Sequence, residues 1–170
     1  RGSTPETYAE NLLHREFEAT KPNEKWETDI TEFKVPHSNK KLYLSAIMDL
    51  YDKSVVSYVL SNNNDTTLVF DTLKLALKNN PNAKPLFHSD RGVQYTCNAF
   101  QYKLGQYGIT QSMSRVGCCI DNGPIESFWG TLKSEMFYGI KFDSLDDLQS
   151  KIEEYIYYYN NERLQSKLKG

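Results

Sequence analysis

Apolar and polar residues alternate along three consecutive segments in the first third of the chain. The segments WETDITEFKV (26–35), KLYLSAIMDL (41–50) and SVVSYVLS (54–61) are rich in β-branched and aromatic residues, and they predict three β-strands. Only short links, which contain HSNK and YDK, join one strand to the next. Because a parallel return needs a long crossover, the three strands are expected to be antiparallel.

The pattern after residue 64 changes to helices that alternate with short strands. Helical spacing of apolar residues predicts helices over 65–80, 96–108, 121–137 and 144–164, and KPLFHSD (84–90) and ITQSM (109–113) predict two short strands. In the first helix the apolar positions are Leu68, Val69, Leu73, Leu75 and Leu77, with Asp65 or Thr66 as the N-cap. The order predicts an α/β fold with a mixed five-stranded sheet flanked by helices, in which the first three strands are antiparallel and the last two parallel.

The length of 170 residues suits one domain with its own core. Residues 1–25 are polar and interrupted by Pro5 and Pro22, so they are interpreted as a linker or arm before a domain that spans 26–170. The chain begins RGST without a methionine, and we expect it to be a fragment of a longer protein.

Composition narrows the class of protein without naming a function. Twenty basic and twenty-two acidic residues give a net charge of −2, so bulk charge alone would attract nucleic acid only weakly. The three cysteines, Cys97, Cys118 and Cys119, match neither a zinc spacing nor a disulfide framework. With no apolar run of membrane-spanning length and no signal-peptide pattern, we expect a cytoplasmic protein that binds no membrane.

Three carboxylates are candidates for a shared site. Asp29 lies inside the first strand, Asp90 lies at the C-terminal end of the fourth, and Glu126 lies in the first turn of the third long helix. Each has an ordinary alternative explanation, because aspartate favours turns and caps and a first-turn glutamate complements the helix dipole. Aspartate is disfavoured inside a strand, however, so the position of Asp29 favours a functional role for this residue. If the first and fourth strands are neighbours, the two aspartates face each other at one edge of the sheet.

The motifs around these acids resemble a known family. WETDIT, HSDRGVQYT and SMSRVGCCIDNGPIESFWGTLKSE are similar to the signature of the integrase-type catalytic core of bacterial insertion-sequence transposases, the DDE group related to retroviral integrases. Thirty-five residues separate Asp90 from Glu126, which is the spacing of that family. The resemblance implies a ribonuclease H-like fold with Asp29, Asp90 and Glu126 as catalytic residues and metal ligands. It also implies a DNA-binding domain before residue 1 and a core that is truncated at its C-terminus.

The implied chemistry is metal-dependent phosphodiester hydrolysis followed by strand transfer at transposon ends. Oxygen-only ligands favour Mg²⁺ or Mn²⁺, with two ions expected when DNA is bound. Gly92 would let the backbone turn away from the strand end. The expected partners are transposon-end and target DNA in a bacterial cytoplasm, with the protein a dimer or higher homo-oligomer in the DNA complex. The residues nominated for DNA contact are Lys133, Arg115, Arg91, Gln94 and Asn122.

Two other functions stay open at this point. The chain could be a ribonuclease H-like nuclease that only hydrolyses, which a strand-transfer assay with pre-cut ends would distinguish. It could also be a non-catalytic assembly module that associates through the aromatic segment Tyr155–Tyr159.

Overall fold

A single mixed sheet forms the centre of the molecule in the computed structural model, which describes residues 8–35, 37–115 and 122–164. Its strands are β1 (Lys25–Lys34), β2 (Lys41–Asp49), β3 (Val55–Ser61), β4 (Leu86–Ser89) and β5 (Thr110–Met113), in the spatial order β3-β2-β1-β4-β5. β1 pairs antiparallel with β2 and β2 with β3, whereas β4 runs parallel to both β1 and β5. The predicted strand directions are confirmed, and the first and fourth strands are neighbours, which was the condition for the two aspartates to face each other.

The described helices are α1 (Thr66–Asn79), α2 (Val93–Thr96), α3 (Asn98–Gln106), α4 (Gly123–Met136) and α5 (Leu145–Tyr158). Asp65 caps α1 as predicted, because its side chain accepts the N–H of Leu68. The single helix predicted over 96–108 is wrong at its start, since Cys97 has extended backbone (φ −69°, ψ 146°) and separates α2 from α3. In the described part of the chain, none of these helices has the length and apolarity that a bilayer crossing would need.

Two hydrophobic clusters cover the two faces of the sheet. One joins Phe33 and the even positions of β2 to α5 and to the apolar stripe of α4, whose members Ile125, Phe128, Trp129, Leu132 and Met136 are all buried as predicted. The other joins Trp26 and Ile47 to α1 and α3. In α1, Leu75 is 40% exposed, whereas the other four apolar positions are buried.

The last helix ends in a π-helical turn, Tyr159–Arg163, where the sequence predicts a continuous α-helix. This turn carries Asn160, whose Oδ1 accepts the N–H of Val55 at 2.9 Å and whose Nδ2 donates to the Val55 carbonyl at 3.0 Å. The side-chain amide therefore satisfies both backbone groups of the first residue of β3, a strand at the edge of the sheet.

The described part of the N-terminal arm packs against the domain. Leu13 is 2% exposed, and the N–H groups of Leu12 and Leu13 donate to Ser112 Oγ at 2.9 and 3.0 Å. The N–H of Met113 donates to the carbonyl of Glu10 at 3.1 Å. The polar composition of this segment gives no hint of the contact with β5, because a single buried leucine carries the packing.

Candidate active site

Parallel pairing of β1 with β4 brings two of the predicted acids to one edge of the sheet. Glu27 of β1 pairs with His88 of β4, and Asp29 and Asp90 each lie two residues beyond that pair. Equal steps along adjacent parallel strands keep residues side by side, so the two aspartates emerge together at the C-terminal edge. Asp29 is 6% exposed, whereas Asp90, just after β4, is half-buried.

The carboxyl group of Glu126, on α4, lies next to Asp29. A hydrogen bond joins the Asp29 and Glu126 side chains, and the charge of Asp90 also acts on Asp29. Burial is the largest cause that raises the pKa of Asp29 to about 9, followed by the hydrogen bond to Glu126 and the charge of Asp90. Burial and the two neighbouring acids therefore favour the protonated form of Asp29 in the metal-free protein. The structure thus gathers the three acids that the sequence nominated.

Three hydrogen bonds, each one helical turn from the next, hold α4 along β1. The N–H of Ile125 donates to Glu27 Oε1 at 2.7 Å, and the indole N–H of Trp129 donates to Asp29 Oδ2 at 3.1 Å. One turn later, Lys133 Nζ donates to the Glu32 carbonyl at 2.8 Å. These contacts fix the height of α4 against β1, and hence the height of Glu126 relative to Asp29.

Glu27 and Trp129 are site residues that the sequence analysis missed. Glu27 has no exposed surface, and burial raises its pKa to about 8. Its position in an alternating strand gives the signal that could have found it, because residues two apart share a face and Asp29 was already a candidate. Trp129 belongs by its spacing to the apolar stripe of α4, and apolar spacing gives no signal for the hydrogen bond of its indole N–H.

The Asp90 loop is held by short contacts within HSDRGVQY. The N–H of Gly92 donates to Asp90 Oδ1 at 2.7 Å. A Cβ at Gly92 would lie 2.9 Å from both Asp90 Oδ1 and Gln94 Oε1, so a side chain at this position would displace the carboxylate. The predicted reason for this glycine is wrong: its φ of −58° is open to any residue, and lack of space is what requires glycine.

Arg91 and Gln94, both nominated for DNA contact, are half-buried and bonded within the protein. Arg91 Nε donates to the Ser114 carbonyl at 2.9 Å, and its guanidinium lies 4.8 Å from the centre of the Tyr8 ring. Gln94 Nε2 donates to Asn64 Oδ1. Both side chains remain next to Asp90, and their contact with DNA stays a prediction.

The other three nominated residues have different surroundings. Asn122, at the N-cap position of α4, is 2% exposed and makes no capping hydrogen bond. Lys133 is half-buried with its Nζ 5.1 Å from the centre of the Phe33 ring, and burial lowers its pKa. Arg115 is exposed and borders a surface cavity of about 330 Å³. Residues 116–121, which include Gly117, Cys118 and Cys119, lie outside the described residues.

The donor set of the three acids fits a hard divalent cation. All ligand atoms would be carboxylate oxygens, which Mg²⁺ and Mn²⁺ prefer. The raised pKa of Asp29 comes in part from Asp90 and Glu126, which is the repulsion a cation would relieve. Within residues 8–35, 37–115 and 122–164, no three His, Cys, Asp or Glu side chains are already closed into a metal-holding group. The acids therefore converge in a protonated arrangement that a cation would have to tighten.

Comparison with known proteins agrees with this geometry. The model of a family described as integrase core domain matches residues 19–119, and a second integrase core domain model matches residues 126–170. A putative transposase, InsK, for insertion sequence element IS150 of Escherichia coli is 48% identical over 171 residues, covering 100% of this chain and 59% of that protein. An uncharacterized transposase-like protein of Haemophilus influenzae is 48% identical over 162 residues, covering 95% of this chain and 74% of that protein.

Solved structures resemble the chain at the level of the fold. The catalytic core domain of HTLV-2 integrase in complex with magnesium, in its dimeric form, aligns with a TM-score of 0.65 at 22% identity, covering 83% of this chain and 88% of that one. A chain from the structure of the simian T-cell lymphotropic virus intasome in complex with PP2A regulatory subunit B56 gamma aligns with a TM-score of 0.68 at 19% identity, covering 95% of this chain and 54% of that one.

A mixed five-stranded sheet in the order β3-β2-β1-β4-β5, flanked by helices, is a ribonuclease H-like fold, as predicted. The chain belongs to the integrase core domain family. Within that family it is an integrase-type core of the kind found in insertion-sequence transposases.

Proposed function

We propose that this chain is the catalytic core of a transposase that cuts and joins DNA at transposon ends, with Asp29, Asp90 and Glu126 as its catalytic residues and metal ligands. The observation that carries the proposal is the meeting of these three carboxyl groups at the β1–β4 edge in a chain of this family. Polynucleotidyl transfer is the reaction class of integrase-type cores. Dependence on Mg²⁺ or Mn²⁺, with two ions when DNA is bound, is part of the proposal.

The roles of the residues follow from their positions. When bound, the divalent ions would stabilise both the attacking and the leaving oxygen of an in-line displacement at phosphorus. Asp29 must release the proton it shares with Glu126 before both carboxylates can act as ligands. The indole N–H of Trp129 then holds one oxygen of Asp29, and the backbone N–H of Gly92 holds one oxygen of Asp90. The other oxygen of each carboxylate is left for ligation.

The attacking group in this proposal is a water or a DNA 3′-hydroxyl, so the protein needs no nucleophile of its own. Ser114, the serine next to the Asp90 edge, is 5% exposed, and its Oγ lies 3.3 Å from the Ser89 carbonyl, to which it donates. Its burial and this bond support its exclusion from covalent catalysis.

DNA at transposon ends and at the target is the proposed substrate, and a homo-oligomer is the proposed active form in the DNA complex. Arg91, Gln94 and Arg115 are proposed to contact phosphate beside Asp90. Lys133 is proposed to contact transposon-end DNA, because it lies near enough to Glu126 for the two charges to interact. Asn122 would first have to become exposed. The chain spans 59% of InsK, and we propose that a separate DNA-reading domain precedes it in the complete protein, with residues 1–25 as the linker.

The alternatives have less support. A hydrolysis-only nuclease shares the carboxylates, but two relatives that are 48% identical to this chain carry transposase names. A purely structural module does not account for a buried, protonated Asp29 beside two further acids. The aromatic segment proposed for self-association is only partly exposed, since Tyr155 and Tyr159 are each 7% exposed while Tyr157 and Tyr158 are 70% and 41% exposed.

A joining assay tests the proposal. Short duplexes with free 3′-hydroxyl ends are incubated with supercoiled plasmid and this chain, in Mg²⁺, in Mn²⁺ or in EDTA. We expect plasmid–oligonucleotide joints in either metal, none in EDTA and none with Asp90→Asn. Plasmid nicking without joints would support the nuclease instead. The absence of both cleavage and joining in both metals would refute the proposed function.

A further inference from the structure

A buried glutamate caps the helix that carries Glu126. Glu27 has no exposed surface, and its Oε1 accepts the N–H of Ile125 in the first turn of α4 at 2.7 Å. The two residues lie ninety-eight positions apart in sequence. A carboxylate at a helix N-terminus satisfies a free backbone N–H and complements the helix dipole.

The local sequence of α4 does not supply this cap. Asn122 occupies the N-cap position without a side-chain capping bond, and Pro124 in the first turn has no N–H to offer. An N-cap side chain normally performs this task from the helix's own sequence. In this chain the acceptor comes from β1 instead, so the start of α4 is tied to the strand that carries Asp29.

Capping by a buried carboxylate is costly as a purely structural device. Among the described residues, Glu27 Oε2 has no hydrogen-bond partner. A buried polar atom without a partner destabilises the fold, and a serine or aspartate N-cap would avoid that cost. The chain nevertheless buries Glu27 at this point, and this is explained if Glu27 sets the position of α4.

The geometry gives that explanation. Four helical residues rise about 6.0 Å and two strand residues about 6.6 Å, so the Ile125–Glu27 and Trp129–Asp29 contacts stay in register. Ile125 directly precedes Glu126, so a bond at its N–H fixes the height and rotation of the turn from which Glu126 projects. Glu27 and Asp29 share one strand, and the same contact therefore sets Glu126 against Asp29.

We propose that Glu27 is a positioning residue, which places Glu126 for ligation with Asp29 and Asp90 by accepting the Ile125 N–H. This inference rests on the proposed function for its activity readout only. A carbonyl oxygen would serve as well as a carboxylate, because the role requires an acceptor and not a charge. Glu27→Gln, which keeps an acceptor oxygen, should therefore behave differently from Glu27→Met, which has none.

The test compares Glu27→Gln, which keeps an acceptor oxygen, with Glu27→Met, which removes it at similar volume. Three quantities are measured: hydrogen exchange of the Ile125 amide, Mn²⁺ affinity by titration calorimetry, and DNA joining. We expect Glu27→Gln to stay within about twofold of the parent. Glu27→Met should speed Ile125 exchange and lose roughly 10- to 100-fold in Mn²⁺ affinity and joining, the range typical of groups that orient metal ligands. Its melting temperature should change little, because the Ile125 N–H left without an acceptor offsets the gain from replacing a buried acid with an apolar side chain.

Glu32→Met is the matched control on the same strand. The Glu32 carboxylate pairs with Lys41 at 2.8 Å at the surface, and only its backbone carbonyl contacts α4. This variant should leave Ile125 exchange and Mn²⁺ affinity unchanged.

Two outcomes would overturn the proposal. Parental Mn²⁺ affinity and exchange in Glu27→Met would show that the cap positions nothing. A defect in Glu27→Gln as large as in Glu27→Met would show that the charge itself is required. If the parent joins no DNA while exchange and Mn²⁺ affinity still respond as expected, the proposed function fails and the positioning role stands.

Discussion

The indole N–H of Trp129 donates to Asp29 Oδ2 across 3.1 Å, from the buried face of α4 to the middle of β1. This bond opposes the other influences on Asp29, because it lowers the pKa of the carboxyl while burial and the neighbouring acids raise it. It also reserves one oxygen of Asp29 and leaves the other facing Glu126 and Asp90. A tryptophan in an apolar stripe thereby becomes part of the carboxylate site.

Trp129→Phe should impair the site more than the fold. Loss of one hydrogen bond is expected to cost about 1 kcal/mol of unfolding free energy. DNA joining should fall by roughly tenfold, because Asp29 loses the donor that orients it. Chemical denaturation and the joining assay measure the two effects.

Trp26→Phe is the matched control, since Trp26 Nε1 also donates to a side-chain oxygen, that of Asn23, at 3.0 Å. Trp26 is fully buried in the cluster on the other face of the sheet. It should lose similar stability and keep joining activity. Equal losses of joining in the two variants would contradict a specific role for Trp129.

Asp29→Asn should stabilise the metal-free protein, increasingly so at alkaline pH. The pKa of Asp29 is about 9 when folded and near 3.8 when unfolded, so between these values the folded state holds a proton that the unfolded state has released. The stabilising effect of this protonation is complete below pH 3.8 and is lost as pH rises toward 9. One such group changes stability by at most about 1.4 kcal/mol per pH unit.

Thermal melts in EDTA between pH 5 and pH 9 test this expectation. The parent should lose stability as pH rises, and Asp29→Asn should show a shallower decline with a higher melting temperature at pH 8. A residual slope is expected because the pKa of Glu27 is also raised, to about 8. Parallel curves for parent and variant would show that Asp29 titrates normally in the folded state.

Gly92→Ala should disable the Asp90 carboxylate while leaving the fold intact. The new methyl group would lie 2.9 Å from Asp90 Oδ1, so the side chain has to rotate away from Asp29. We expect a loss of at least roughly tenfold in Mn²⁺ affinity. Gly105→Ala in α3 is the control, because nothing lies within 4 Å of its Cβ. That change should stabilise the protein by up to about 1 kcal/mol without affecting metal binding. Unchanged affinity in Gly92→Ala would show that Asp90 tolerates displacement.

Lys133→Gln should weaken DNA binding in a salt-dependent way. If Lys133 contacts a phosphate, its loss reduces the slope of log affinity against log salt concentration by about one. Lys74→Gln on the exposed face of α1 removes the same charge elsewhere and should leave the slope unchanged. Fluorescence anisotropy with labelled duplex DNA at several salt concentrations measures both. Identical slopes for the two variants would confine Lys133 to its bond with Glu32.

Much of the fold follows from the sequence because its signals are local. Alternation marks the first three strands, and short links force them to be antiparallel. The stripe from Ile125 to Met136 marks the buried face of α4. The break at Cys97 was not predicted, because no proline or glycine marks it, although Thr96, Cys97 and Asn98 are weak helix formers.

The candidate site was only partly predictable. Asp29, Asp90 and Glu126 could be nominated from an unusual strand position and from family spacing. Strand alternation places Glu27 on the same face as Asp29, but its role depends on a contact ninety-eight residues away, which no local pattern reveals. The need for glycine at position 92 arises from the position of a neighbouring carboxylate, which backbone preferences do not reveal.

Asn160 has a consequence for how copies of this protein can associate. By engaging both backbone groups of Val55, it occupies the first rung of the outer strand. An incoming β-strand from another chain would find that rung filled, and strand addition of this kind is a common route to aggregation. The π-helical turn therefore leaves the β3 edge one backbone rung shorter for pairing with a strand of another chain.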